Sequence, residues 1–208
     1  MKRLQAIAEG ISRAGAIAGG AMLLLASVTI CIDIFLRYAF SRTVGGADEL
    51  SGYALAIASA WGFSAALLSR SHIRIDTVYV RVPRSARAVL DLASLAVFAV
   101  FIALVTWHAW GVLQQSYVSG SRSLSAIEMP LVIPQALWFA GLAFFVAVAL
   151  LLLARALLAY VGGDLDKLFA LIGSKSAVAE AKEEIIAVER AFERDQGPPR
   201  QTPRGKAQ

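Results

Sequence analysis

Charge is what this 208-residue chain has little of. Only 17% of its residues are charged, against about 25% in an average soluble domain, while 58% are hydrophobic and the mean hydropathy is +0.64. The scarcity is uneven. Residues 14–36 hold one charge, Asp33, and residues 50–69, 92–113 and 131–154 hold none. Each run has about 20 residues or more, enough for a helix to cross roughly 30 Å of hydrocarbon. A bilayer offers backbone groups no water, so these runs are expected to be helical, and no room remains for a large soluble domain. Cysteine is nearly absent. Cys31 stands alone, which excludes an internal disulfide and a cysteine metal cluster, and from its place in the first apolar run it is expected to be a small buried side chain. There is also no phosphate-binding Gly-rich loop, no nucleophile–base pair and no metal-ligand spacing, so neither catalysis nor a bound cofactor or metal is expected. The apolar runs lack the paired buried charges and Gly/Pro breaks that mark a midplane substrate site. Such a chain is a poor transporter alone and a plausible accessory subunit.

What is present is a topology. The N-terminal segment carries Lys2, Arg3 and Arg13, and the connection between the second and third runs carries Arg70, Arg74, Arg81, Arg84 and Arg87. The two other connections carry only Arg37, Arg42 and Arg122. Basic residues stay on the cytoplasmic side, so the expectation is an all-α membrane protein with four transmembrane helices, N-in/C-in. The net charge of +5 and pI near 9.7 reflect that orientation rather than nucleic-acid binding. The first run is longer than the roughly 7–15-residue apolar core of a signal peptide and has no clear cleavage site, so it is expected to stay as a helix.

The predicted organisation is a cytoplasmic segment at 1–13 and a four-span membrane domain at 14–160, with spans near 14–36, 50–69, 89–113 and 131–155. An amphipathic cytoplasmic helical tail follows at 161–195 and a disordered end at 196–208. Between spans two and three, Ile73, Ile75, Val78, Val80 and Val82 alternate with Arg74, Asp76 and Arg81, the pattern of a segment lying at the inner interface against anionic lipid headgroups. The connection at 114–130 is rich in Ser and Gly. Pro134 falls in the first turn of span four, where a missing N–H costs little. Trp110 and Trp138 suit an outer interfacial belt. In the tail, Leu165, Leu168, Phe169, Leu171 and Ile172 make an amphipathic piece. Val178, Ala181, Ile185, Val188 and Phe192 repeat at three- or four-residue spacing, as in a surface or partner-binding helix.

Few residues could carry chemistry. Two histidines in a four-helix membrane protein raise the thought of haem, but His72 falls at the inner side and His108 near the outer side, about 30 Å of hydrocarbon apart, so they cannot ligate one iron. Asp33 and Arg37 lie four apart on one helical face. An intramembrane acid is a functional candidate by default, as an inter-subunit contact, while a local ion pair with Arg37 reaching for the headgroups explains it as well. Asp48 and Glu49 open span two, where acids complement the positive end of the helix dipole; contact with a partner arriving from outside is the sharper reading. Gly15-x-x-x-Gly19 is a small-residue face suited to close helix packing.

Several blocks, in order, resemble one family. They are Phe35-x-Arg37-Tyr38-x-Phe40 at the exit of span one and Gly46-Ala47-Asp48-Glu49-Leu50-Ser51-x-Tyr53 at the start of span two. Gly62-x-x-x-Ala66 follows, and then His72-Ile73-Arg74-Ile75-Asp76. Pro83, Arg87 and Leu90-Asp91-Leu92 lead into span three, and Trp107-x-x-Trp110 and Pro130-x-x-Ile133-Pro134 complete the set. Over residues of about 10–160 the chain resembles the small membrane subunit of tripartite ATP-independent periplasmic (TRAP) transporters, the DctQ-like proteins. Arg70 departs from the small residue usual before the His, and the tail after Gly163 is longer than the resemblance implies.

The resemblance implies a bacterial inner-membrane, multi-pass subunit that is not an enzyme. It would pair with a large DctM-like permease subunit in ion-gradient-driven import of a carboxylate-type solute, delivered by a periplasmic DctP-like binding protein. Arg37, Asp48, Glu49 and Tyr53 would then be partner-contact candidates, with Asp33 an intramembrane polar residue. His72, Arg74 and Asp76 would form an inner signature that sets lipid or subunit contacts. Two other classes stay open: a membrane anchor of a redox complex, and a small self-associating channel or transporter.

Overall fold

The computed structural model describes residues 2–69 and 82–173, together with Ile186. Among these residues there is no strand beyond an isolated bridge between Arg122 and Pro130. The helices are α1 (Lys2–Phe40), α2 (Ala47–Leu68), α3 (Arg84–Ser119), α4 (Val132–Val161) and α5 (Leu165–Ile172). The first four are long and apolar enough to cross a membrane. The chain divides into two units, Met1–Gly173 and Ser174–Gln208, and α1 to α5 belong to the first. His72, Arg74 and Asp76 lie outside the described residues, as does the tail beyond Gly173 except for Ile186.

Three of the helices outrun the apolar runs that announced them. α1 has 39 residues, about 58 Å at 1.5 Å per residue, and begins at Lys2 rather than near residue 14. Residues 2–13 hold no Pro and one Gly, and Gln5 Nε2 donates to Glu9 Oε1 at 2.6 Å one turn on, so nothing stops the helix where the charges begin. α3 runs past both ends of its apolar core for the same reason, stopping at Pro83 and at Gly120, which takes the left-handed φ of +59°. α4 extends to Val161 before Gly162 and Gly163 end it. α2, with 22 residues, is close to the minimum spanning length.

The packing partners run α1 to α2, α2 to α4, and α4 to α3, with α5 resting on α3 and α4. Two antiparallel hairpins, α1–α2 and α3–α4, therefore meet along α2 and α4, which run parallel. The four helix ends flanking 41–46 and 120–131 form one end of the bundle, here the loop end; the opposite end holds the chain's N-terminus and α5, here the terminal end.

The main core belongs to α3 and α4. Ala88, Leu92, Leu95, Ala99 and Ile102 recur at spacings of four and three and meet Phe145, Val148, Ala149, Leu152, Ala156 and Ala159 of α4. This is the alternating spacing that holds one stripe against a partner helix, and its alanines permit close approach. α5 closes the terminal end by burying Leu168 completely and Ile172 almost so.

The α2–α4 seam turns on Trp61. Its ring stacks on Phe144 with centroids 5.8 Å apart and planes 23° apart, and its Nε1 donates to the Leu137 carbonyl at 3.1 Å. A side chain at Gly141 would meet Trp61 Cδ1 at 2.8 Å and Ala60 Cβ at 2.9 Å, so only glycine admits the indole. Phe63 and Phe145 continue the seam at 5.7 Å. On the other side of α2, a Cβ at Gly15 would lie 2.8 Å from Trp61 Cε3, and one at Gly19 would lie 2.9 Å from Ala58 Cα. The Gly15-x-x-x-Gly19 face thus seats α1 on α2. Little else of α1 is covered: 6% of its most apolar stretch is buried, against 33% for each of the other three.

Candidate functional site

Of the polar residues singled out in the sequence, Asp33, Arg37, Asp48, Glu49 and Tyr53 lie at the loop end, where all but Asp48 enter one of two clusters. The first is built on Asp33, about two turns before α1 ends and only 3% exposed. Its Oδ2 accepts from Arg37 Nη2 at 2.5 Å. Its Oδ1 accepts from the Thr43 hydroxyl and the Val44 N–H, both at 2.7 Å, and Thr43 Oγ1 in turn accepts from the Gly45 N–H at 3.2 Å. Asp33 therefore fastens the six-residue connection 41–46 back onto α1, while the Arg37 side chain stays 62% exposed. Reversal within six residues requires unusual backbone: Ser41, Gly45 and Gly46 have φ of +51°, +70° and +97°, the left-handed region that glycine enters freely.

The second cluster is built on Glu49 in the first turn of α2. The Tyr53 hydroxyl donates to Glu49 Oε1 from one turn on. The Ser123 hydroxyl, 74 positions away in sequence, donates to Oε2. Ser123 and Ser125 hydroxyls lie 2.8 Å apart, and the Ser125 N–H donates to Ser123 Oγ at 3.1 Å. The second loop is itself folded: the Ser123 N–H donates to the Met129 carbonyl at 2.9 Å and the Leu131 N–H to Ser121 at 3.0 Å. The carboxylate thus receives hydroxyl donors from two elements, and among the described residues no cation pairs with it.

The backbone of the first loop also lies against side chains of the second. A Cβ at Gly46 would stand 2.7 Å from Ile127 Cδ1, and one at Gly45 would stand 3.2 Å from Ala126 Cβ. Two hairpins that share a seam in the apolar region are therefore tied together again at their polar tips.

This arrangement separates residues that the sequence presents as a pair. Asp48 is exposed and its side chain finds no hydrogen-bond partner among the described residues; Glu49 turns inward to hold Ser123. Arg37, Asp33, Glu49 and Tyr53 are each engaged within the chain, Arg37 with most of its surface still free. The partners Thr43, Ser123 and Ser125 were not singled out by their sequence context. Ser123 and Ser125 belong to a stretch notable only for its serine content, and Thr43 is separated from Asp33 by a turn that periodicity does not reveal.

At the terminal end, Arg155 Nη1 donates to Gln5 Oε1, joining α4 to α1. Arg84 Nη2 lies 2.7 Å from Asp166 Oδ1 and its guanidinium carbon 5.9 Å from the Phe169 ring centre, a cation–π distance that helps seat α5. Among the described residues no group of three or more His, Cys, Asp or Glu side chains could hold a metal, and His108 is exposed on α3.

The family model described as tripartite ATP-independent periplasmic transporters, DctQ component, matches residues 26–159. That range takes in the loop-end part of α1, all of α2 and α3, and α4 almost to its end. No curated protein and no solved structure matches the chain.

Proposed function

Because the chain belongs to the DctQ family, a family of transporter components rather than enzymes, we propose that this multi-pass membrane protein is the small permease subunit that pairs with a large membrane subunit. The complex imports a carboxylate-bearing solute, driven by an ion gradient and delivered by a periplasmic binding protein. The observation that carries the proposal is the family match, which spans the four-helix framework rather than one short block. The location is the bacterial inner membrane, with both termini in the cytoplasm. Even before Arg155 and the residues after it are counted, the N-terminal segment and the connection between spans two and three carry eight basic residues, against three in the two other connections, which supports that orientation.

In this orientation the loop end faces the periplasm. Asp33 fastens the first loop to α1 and Glu49 ties the second loop to α2, so the two form a preorganised surface, and preorganisation lowers the ordering cost of docking. Asp48 and Arg37, one acidic and one basic, offer charge on that surface and are the residues proposed to meet the binding protein or the large subunit. His72, Arg74 and Asp76 are proposed to set lipid or subunit contacts on the cytoplasmic side.

Co-expression of the tagged chain with the product of its neighbouring gene, followed by detergent purification, tests the pairing. A large multi-span protein recovered at about one-to-one ratio is the expected result; recovery of this chain alone refutes it. In a reconstituted uptake assay, Asp48→Ala should lower uptake without lowering membrane insertion. Full uptake by that variant removes Asp48 from the docking surface while leaving the pairing intact.

A further inference from the structure

Where α4 leaves the apolar region it forms, with α5, a crevice of ≈ 380 Å³ lined by Arg155, Leu158, Ala159, Gly162, Asp164, Lys167 and Leu171. Its charges are not balanced within the chain. The half-buried Arg155 guanidinium has one hydrogen-bond acceptor among the described residues, the neutral amide oxygen of Gln5. That amide is held in turn by Glu9, so the guanidinium is fixed in place without being neutralised. The Lys167 ammonium, on the first turns of α5, has no ion-pair partner among the described residues. Asp164 lies on the same wall, but its Oδ1 already accepts from the Lys167 N–H at 3.0 Å as the cap of α5. Two cations and one committed carboxylate leave the crevice with a positive excess and unused donors.

Depth identifies what can fill it. α4 starts at Val132, and about 20 helical residues cross the roughly 30 Å hydrocarbon core, which ends the crossing near Leu152. Arg155 lies one turn further on, at the level of headgroup phosphates, and Lys167 follows from the helix folded back beneath it. Leu158 and Leu171 supply apolar walls beside the cations. A free anion has no use for those walls, whereas a phospholipid needs both kinds of surface, and basic pockets between helices at this depth suit anionic headgroups.

We propose that this crevice is a specific site for one anionic phospholipid, its phosphate held by Arg155 and Lys167 and its glycerol and first methylenes lying against Leu158 and Leu171. The bound lipid ties α5 to α4 and, through Arg155 and Gln5, to the start of α1. The proposal needs only that the four helices span a bilayer; it does not depend on pairing with a large subunit.

The test uses the full chain, purified in detergent and stripped of lipid, with native mass spectrometry and thermal unfolding as readouts. Phosphatidylglycerol should be retained at one per chain and should raise the unfolding temperature, and phosphatidylcholine should do neither. Arg155→Gln and Lys167→Gln should each weaken retention about five-fold, the effect of one cation near an anionic headgroup. Arg122→Gln, at the loop end, should leave it unchanged. Lys167 is exposed and its side chain supports no other part of the fold, so its variant stays informative if Arg155→Gln unfolds. Equal retention of the two lipids, or full retention by Lys167→Gln, overturns the site. Stabilisation by inorganic phosphate equal to that by phosphatidylglycerol overturns the assignment to a lipid.

Discussion

Gly19 and Gly20 are neighbours on α1, and replacing each by alanine separates packing from propensity. Either substitution removes a glycine from a helix interior, a gain of about 0.5–1 kcal/mol. At Gly20 the new methyl meets nothing within 4 Å, so the gain stands alone. At Gly19 the methyl would lie 2.9 Å from Ala58 Cα, 3.1 Å from Ala58 Cβ and 3.4 Å from the Ala58 carbonyl oxygen. Two of those three atoms are backbone, which cannot swing aside as a long side chain would. The helices must separate by about 0.5–1 Å, and a gap of that size forfeits a quarter to a half of each dispersion contact it opens. Overpacking of this kind costs about 1–3 kcal/mol. The propensity gain is common to both variants, so their difference in stability isolates the packing cost, with Gly20→Ala the more stable by about 1–3 kcal/mol. Unfolding in mixed micelles, followed by circular dichroism against added dodecyl sulfate, measures the difference. Adding Ala58→Gly to Gly19→Ala should recover part of the loss. Equal stability of the two single variants would falsify the account of how α1 is seated.

Four other outcomes follow from the loop end and from α5. Ser123→Ala and Glu49→Gln should each lower the unfolding temperature, and the double variant should be little worse than the poorer single one, because both remove the same tie between hairpins; strictly additive losses would show that the two side chains act separately. Gly46→Ala should destabilise by about 1–2 kcal/mol from the left-handed backbone alone, and a d-alanine introduced there by semisynthesis should be better tolerated than l-alanine. Leu168→Ala should cost about 2–5 kcal/mol, as for other fully buried leucines. A chain ending at Gly163 should still reach the membrane but unfold at a lower temperature than one ending at Gly173, which keeps α5. Identical unfolding of the two truncations would show that α5 adds nothing to the core.

Charge exclusion made the four spans legible, because a bilayer penalises each misplaced charge and so writes its thickness into the sequence. It did not mark where helices end. Residues 2–13 and 114–119 are polar enough to leave the membrane yet still favour helix, and only Pro83, Gly120 and Gly162 state a stop. The amphipathic piece at α5 was readable from its apolar spacing. The loop-end clusters were half readable. Asp33 and Arg37 fall on one face by helical periodicity, but the bonds from Thr43 and Val44 depend on a turn through positive φ, and the bond from Ser123 to Glu49 depends on two loops meeting across the bundle. Trp61 carried no signal at all, since a tryptophan in an apolar run reads the same facing lipid as wedged against Gly141.

The outer–inner–inner–outer order of the helices has a consequence for how the molecule comes apart. Among the described residues, what mainly joins the two hairpins lies along α2 and α4 and at the loop tips, with the Gln5–Arg155 bond besides. Such a molecule has one joint. A polypeptide severed between residues 70 and 81 retains every bond described across that joint, so two separately translated halves, each inserting as a helical pair, hold what they need to find one another in the plane of the membrane.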